Sequence, residues 1–148
     1  MSAFRRIPPI KRVMTPFPFA IDVDDPLESA QSMMRERGFR HLPVTDGDSL
    51  VGILSERDIH IARSVRAEGS AAGEPVKVRA ACTRTPYVVD LNEPLDEVVM
   101  TMASKQIGSA LITRQGRLAG ILTTTDVCRL LGELLRELDP TPQGDDVA

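Results

Sequence analysis

Two stretches of the chain carry the same polar residues at the same spacing, Gly52-Ile53-Leu54-Ser55-Glu56-Arg57-Asp58 and Gly120-Ile121-Leu122-Thr123-Thr124-Thr125-Asp126. In each, an apolar run ends in Ser or Thr, a favoured residue at a helix start, with Asp three positions on. A helix start presents unpaired N–H donors and a partial positive charge, which suit an anion. An ionised carboxylate only accepts hydrogen bonds, so an aspartate at that place suits a partner with two neighbouring hydroxyl donors. The same spacing also makes a capping box, which opens many helices whether or not anything binds. Two features weigh towards binding. Capping boxes favour Glu or Gln at the third position, and the Asp recurs while Glu56-Arg57 and Thr124-Thr125 between do not.

The two stretches belong to a longer duplication. Residues 14–59 laid over residues 82–127, at a constant offset of 68 and without a gap, bring like residues together throughout. Thr15 meets Thr83, Pro18 meets Pro86, Asp22 meets Asp90, and Pro26-Leu27 meets Pro94-Leu95. Leu50 meets Leu118, and the two motifs above fall into register. Coincidences at one fixed offset, on turn formers and apolar positions, mark a repeated structural unit.

Each copy reads as strand, helix, strand, strand, helix. Phe19 to Val23 is a short apolar strand; Asp25 then caps a helix, with Pro26 at its first position and Glu28 completing a capping box. Leu27, Ala30 and Met34 share one face of that helix, as Leu95, Val98 and Met102 do in copy two, and Gly38 ends it in the left-handed conformation. Leu42 to Val44 and Leu50 to Leu54 form a hairpin across Thr45-Asp46-Gly47-Asp48, with Arg114-Gln115-Gly116-Arg117 as its counterpart. Ser55 and Thr123 cap the final helices, and in copy two Leu130, Leu131, Leu134, Leu135 and Leu138 extend that helix as a wide apolar stripe. The expected organisation is copy one over residues 1–65, a linker at 66–75, copy two over 76–138 and a loose tail at 139–148. About 45 residues hold too little core to stand alone, so the expected fold is α+β, two βαββα motifs packed sheet to sheet with pseudo-twofold symmetry.

These residues resemble the cystathionine-β-synthase (CBS) domain pair, also called a Bateman module. The resemblance rests on Val13-Met14-Thr15-Pro16, Arg40-His41-Leu42-Pro43-Val44 and the Gly52 motif in copy one. In copy two it rests on Cys82-Thr83 before Pro86, on Gly108-Ser109-Ala110-Leu111-Ile112 and on the Gly120 motif. It covers roughly residues 10 to 132. It implies a ligand site in which Asp58 and Asp126 bind ribose hydroxyls, while Ser55 and Thr123, with the helix amides, face phosphate. It further implies that Thr15 and Thr83 contact ribose or phosphate, and that Arg40 and His41 reach phosphate, with Arg57 beside them. Pro18, Phe19, Pro86 and Tyr87 are candidates to line an adenine pocket, although core packing would also account for them. Copy two departs from the pattern: Gly108 and Ser109 stand opposite Arg40 and His41, so that cleft lacks two basic groups and suits a less charged ligand or none. Which Thr joins which Asp is left open. The implied ligand is an adenosine compound, AMP, ADP or ATP before S-adenosylmethionine or NAD, with no resident cofactor. The family dimerises through its helices, and the leucine stripe is a candidate dimer or partner face.

The bulk properties exclude other classes. The chain has 148 residues, 42% hydrophobic and 26% charged, with net charge −3, so neither a polybasic nucleic-acid binder nor a disordered acidic tail is indicated. Cys82 and Cys128 lack metal-ligand spacing and suit a reducing compartment. No stretch approaches the ~18 apolar residues of a membrane span, and the first residues lack the uninterrupted apolar run expected of a signal peptide, so a cytoplasmic protein is expected. His41 and His60 are the only histidines, and no nucleophile elbow, phosphate-binding loop or metal cluster occurs, so catalysis is not expected. The remaining alternative is a ligand-free scaffold that dimerises and regulates a separate protein.

Overall fold

The structure, a computed structural model, describes residues 6–16, 19–69 and 74–139. Its elements run α1 (Ile10–Val13), β1 (Thr15–Pro16), β2 (Ile21–Asp22), α2 (Leu27–Arg37), β3 (His41–Asp46), β4 (Ser49–Ser55) and α3 (Glu56–Gly69). A 3-10 turn at Val78–Ala80 follows, then β5 (Val88–Asp90), α4 (Leu95–Lys105), β6 (Ser109–Arg114), β7 (Arg117–Thr123) and α5 (Thr124–Leu138). The duplication is visible in these bounds. The helices α2 and α4, the hairpins β3–β4 and β6–β7, and the starts of α3 and α5 are each displaced by 68 residues. The repeat reaches further upstream than the sequence alignment, since the buried Ile10 and Val78 are also 68 apart.

The chain divides into two compact units that do not follow the two copies. One comprises Met1–Pro16 with Val88–Ala148, the other Phe17–Tyr87. Each copy's leading segment is therefore built into the other copy's unit, the described residues 6–16 packing with copy two. The cause is strand pairing. In the first unit β1 joins a four-stranded sheet in the order β1-β7-β6-β5, with Thr15 opposite Ile121 and Pro16 opposite Gly120. In the second unit the three-stranded sheet β2-β3-β4 is extended by Thr83, which exchanges both backbone hydrogen bonds with Ile53, at 2.9 and 3.0 Å. Val78 is fully buried, and its N–H donates to the Asp25 carbonyl at 2.8 Å, so the leading segment is held both by apolar burial and by backbone hydrogen bonding.

In both sheets one strand runs parallel to the next in sequence, β2 to β3 and β5 to β6, and that strand pairs antiparallel with β4 or β7 through the hairpin. One face carries the helices: Leu27, Ala30 and Met34 of α2 lie in the core with Leu42, Val44 and Leu54, as Leu95, Val98 and Met102 of α4 do with Ala110, Ile112 and Leu122. Burying side chains of this size stabilises by about 1.5–3 kcal/mol each relative to exposure.

Three local expectations need correction. The first strand is only Ile21–Asp22, and Phe19 stands outside it. Asp25 does not cap α2; Pro26 occupies the cap position and the helix begins at Leu27. The leading segment supplies what the cap would have, because the Val76 carbonyl accepts from Leu27 N–H at 2.9 Å, while Asp25 Oδ2 accepts from Asp22 N–H at 3.1 Å. Finally, α3 continues to Gly69, four residues into the stretch read as linker, since Arg66-Ala67-Glu68 contains only good helix formers. Gly38 does end α2 in the left-handed region, at φ 74°. The expected loose tail falls almost wholly on residues outside the described ones.

Candidate functional site

The strand-to-helix junctions are built alike. Strand β4 ends at Ser55 and β7 at Thr123, so each hydroxyl residue leaves the sheet extended and the next residue enters a helix. Ser55 N–H donates to Asp58 Oδ2 at 2.9 Å, and Asp58 N–H donates to Ser55 Oγ at 3.0 Å. Thr123 N–H donates to Asp126 Oδ2 at 2.9 Å, and Asp126 N–H donates to Thr123 Oγ1 at 3.3 Å. Both junctions are thus true capping boxes, and the bland reading of the motif is physically correct in both units. It does not exhaust them, because the capping fixes each aspartate at a helix N-terminus next to a threonine-bearing strand.

That strand comes from the other copy. In the first unit Thr15 Oγ1 donates to Asp126 Oδ1 at 3.3 Å, which settles the pairing left open by the sequence: Thr15 belongs with Asp126. By the same topology Thr83 belongs to the unit of Asp58, paired to Ile53, although its exposed side chain makes no hydrogen bond to Asp58 among the described residues. The glycine of each motif is what permits the approach. A Cβ on Gly52 would lie 2.5 Å from the Thr83 carbonyl oxygen, and one on Gly120 would lie 2.7 Å from that of Thr15.

The second unit gathers the charged candidates. His41 lies directly opposite Ser55 in the β3–β4 register, and the Arg40 carbonyl accepts from Glu56 N–H at 2.9 Å. The Arg40 and Arg57 side chains are exposed. Burial pushes the His41 imidazole below its ordinary pKa; the Asp58 carboxylate opposes that and the Arg40 guanidinium adds to it. His41 is therefore neutral in the folded protein at pH values where a free histidine, with a pKa near 6.5, is already charged. The unfolded chain then binds the extra proton, so stability is complete above about pH 6.5 and falls as the pH drops towards the folded value. His41→Gln is expected to flatten that part of a stability profile measured by urea unfolding between pH 7.5 and 5.

Other candidates are placed as follows. Ser109 lies opposite Thr123 in the β6–β7 register, half-buried, so the first unit has a hydroxyl where the second has imidazole. Pro86 and Tyr87 are half-buried in the second unit. Phe19 is engaged within the protein: its ring centre is 6.2 Å from that of Phe39, and the Arg37 guanidinium sits over it at 4.4 Å. Pro18 lies outside the described residues. Sequence reasoning missed Arg129, whose Nη1 donates to Asp126 Oδ1 at 3.3 Å; the i,i+3 spacing of opposite charges on one helix was the available signal. A mostly apolar cavity of about 360 Å³ lies in the first unit, lined by Val99, Met102, Ile107 and Val127 among others, but by none of Thr15, Ser109, Thr123 or Asp126. Among the described residues no group of three or more His, Cys, Asp or Glu could hold a metal ion. No described helix is long and apolar enough to cross a membrane.

A duplicated βαββα unit with a crossed leading strand and a Gly-x-x-Ser/Thr-x-x-Asp junction defines a tandem-repeat α+β fold. The chain belongs to the CBS domain family, whose model matches it twice, at residues 10–64 and 78–133. Hypoxic response protein 1 of Mycobacterium tuberculosis is 34% identical over 111 residues, 72% of this chain and 73% of that protein. The CBS domain pair solved in complex with 5′-methylthioadenosine and S-adenosyl-L-methionine superposes with a TM-score of 0.75 at 24% identity, over 86% of this chain and 98% of its own. The structure of CBSX2 in complex with AMP does so at 0.70 and 21%, over 86% and 98%.

Proposed function

We propose that this CBS pair is a non-catalytic sensor that binds an adenosine-containing ligand, preferably AMP, ADP or ATP, at its strand-to-helix junctions and changes its contacts in response. The observation that carries this reading is the repeated junction. Each unit sets an aspartate and a helix N-terminus beside a threonine delivered from the other copy. In this reading the Asp58 carboxylate accepts from ribose hydroxyls and the α3 amides with Ser55 meet phosphate, with Arg40 and Arg57 adding charge and His41 a ring N–H donor, while Thr123 and Asp126 form the equivalent junction of the first unit. Thr15, Thr83 and Ser109 complete the polar lining, with Pro86, Tyr87 and, after displacement of Arg37, Phe19 against the base. Solved CBS relatives hold AMP or S-adenosyl-L-methionine, which supports the ligand class. Charge-assisted bonds contribute roughly 1.5–3 kcal/mol each before ordering costs, so a few of them correspond to affinities between about 1 mM and 1 µM. The cytoplasmic location read from the sequence belongs to the same proposal.

The test is the melting temperature in the presence of AMP, ADP, ATP, S-adenosylmethionine and NAD in turn. A ligand at a hundred times its Kd stabilises by about 2.7 kcal/mol, a rise of roughly 5–10 °C for a chain of this size. The rise is expected to vanish in the Asp58→Ala, Asp126→Ala double variant. No rise with any of the five would leave the second reading, a ligand-free dimerisation module acting on a separate protein. That reading draws on Leu131, Leu135 and Leu138 of α5, which are 51%, 54% and 73% exposed. An apolar row left so open suits a second copy or a protein partner.

A further inference from the structure

Asp58 and Asp126 occupy equivalent places but are not equally available. Asp126 is buried, and both of its carboxylate oxygens are engaged. Oδ2 accepts from Thr123 N–H at 2.9 Å and from Thr123 Oγ1 at 3.0 Å. Oδ1 accepts from Thr15 Oγ1 and from Arg129 Nη1, each at 3.3 Å. A carboxylate offers about four acceptor positions, and Asp126 uses four. Asp58 is half-buried; its Oδ2 accepts from Ser55 N–H, and among the described residues its Oδ1 has no donor.

The difference is written in the two copies. Arg129 stands where copy one has Ile61, so only α5 carries a cation one turn beyond its aspartate. Conversely Gly108 and Ser109 stand where copy one has Arg40 and His41. One site therefore has, among the described residues, an unused carboxylate oxygen, with Arg40 just before and His41 at the start of the adjoining strand β3. The other has its carboxylate filled by the protein's own hydroxyl and guanidinium, and Gly108 and Ser109 in place of the two basic residues.

We propose that the second unit holds the ligand-receptive site of the chain, selective for a phosphorylated adenosine compound. In the first unit Asp126 is by contrast a structural strap that joins β1 to α5 through Thr15. This rests on the proposed ligand class. The Arg129 contact alone does not decide the matter, since Arg129 is 62% exposed in its side chain and such pairs are worth little. The outcome follows from three features acting together: the Thr15 hydroxyl, the Arg129 guanidinium, and the absence of Arg40 and His41 equivalents.

Isothermal titration of the full chain with AMP tests this, with far-ultraviolet circular dichroism confirming that each variant is folded. One equivalent per chain is expected. Asp58→Asn should weaken binding at least tenfold, and Asp126→Asn should leave it within about threefold. Should Asp126→Asn unfold the chain, Arg129→Ile serves instead: it installs the copy-one residue and should leave the first equivalent unchanged. Two equivalents lost one at a time by the two Asp→Asn changes would overturn the proposal. So would loss of binding in Asp126→Asn, or in Arg129→Ile, with Asp58→Asn unaffected. Absence of binding by AMP, ATP and S-adenosylmethionine alike would instead remove the ligand reading on which it stands.

Discussion

Gly52→Val is expected to destabilise the protein by about 3 kcal/mol and to separate Thr83 from the second unit. The cause is local and steric. Even the first carbon of a side chain at Gly52 would meet the Thr83 carbonyl oxygen at 2.5 Å and its carbonyl carbon at 3.4 Å. The obstacle is backbone, held by the paired bonds between Thr83 and Ile53, and it cannot rotate aside as a side chain could. Relief requires the leading segment to leave β4, which exposes the buried Val78 and breaks the bond from Val78 N–H to the Asp25 carbonyl. Urea unfolding gives the stability loss, and the same variant should bind AMP more weakly because Thr83 no longer borders the Asp58 site. A Gly52→Val protein with unchanged midpoint and slope would show that the close approach is not structurally required.

Asp126→Ala is expected to cost about 2–3 kcal/mol, against about 1 kcal/mol for Asp58→Ala. Both changes remove a capping carboxylate, which accounts for the smaller figure. The larger one follows from what the carboxylate holds: loss of Asp126 also deprives the Thr15 and Thr123 hydroxyls of an acceptor and releases β1 from α5. The Asp126 site is nearly closed to water, so those donors are not freely rehydrated. Equal losses at the two positions, measured by urea unfolding, would contradict this account of the asymmetry.

What could be read in the sequence was whatever repeats. The offset of 68 placed the hairpins, the helix starts and both Ser/Thr-x-x-Asp junctions, because turn formers and caps act locally and appear twice. The exchange of leading strands was not legible, since Thr15 and Asp126 are far apart in sequence and pairing across that interval leaves no local periodicity. The error at Asp25 has the same origin: a capping signal was present, but the Val76 carbonyl reached Leu27 N–H first. Phe19 is an apolar residue before a strand in any sequence reading, and only the structure shows Arg37 lying across its ring. The charge contrast between Arg40-His41 and Gly108-Ser109 was visible from the alignment, whereas Arg129 was hidden at a position that carries an unremarkable Ile61 in the other copy.

A crystal structure of the chain with AMP bound tests the central claim most directly. The expected result is ribose hydroxyls on the Asp58 carboxylate, with phosphate at the first amides of α3 near Ser55 and His41. AMP seated instead in the cavity beside Val99, Met102 and Ile107, with Asp58 untouched, would contradict it.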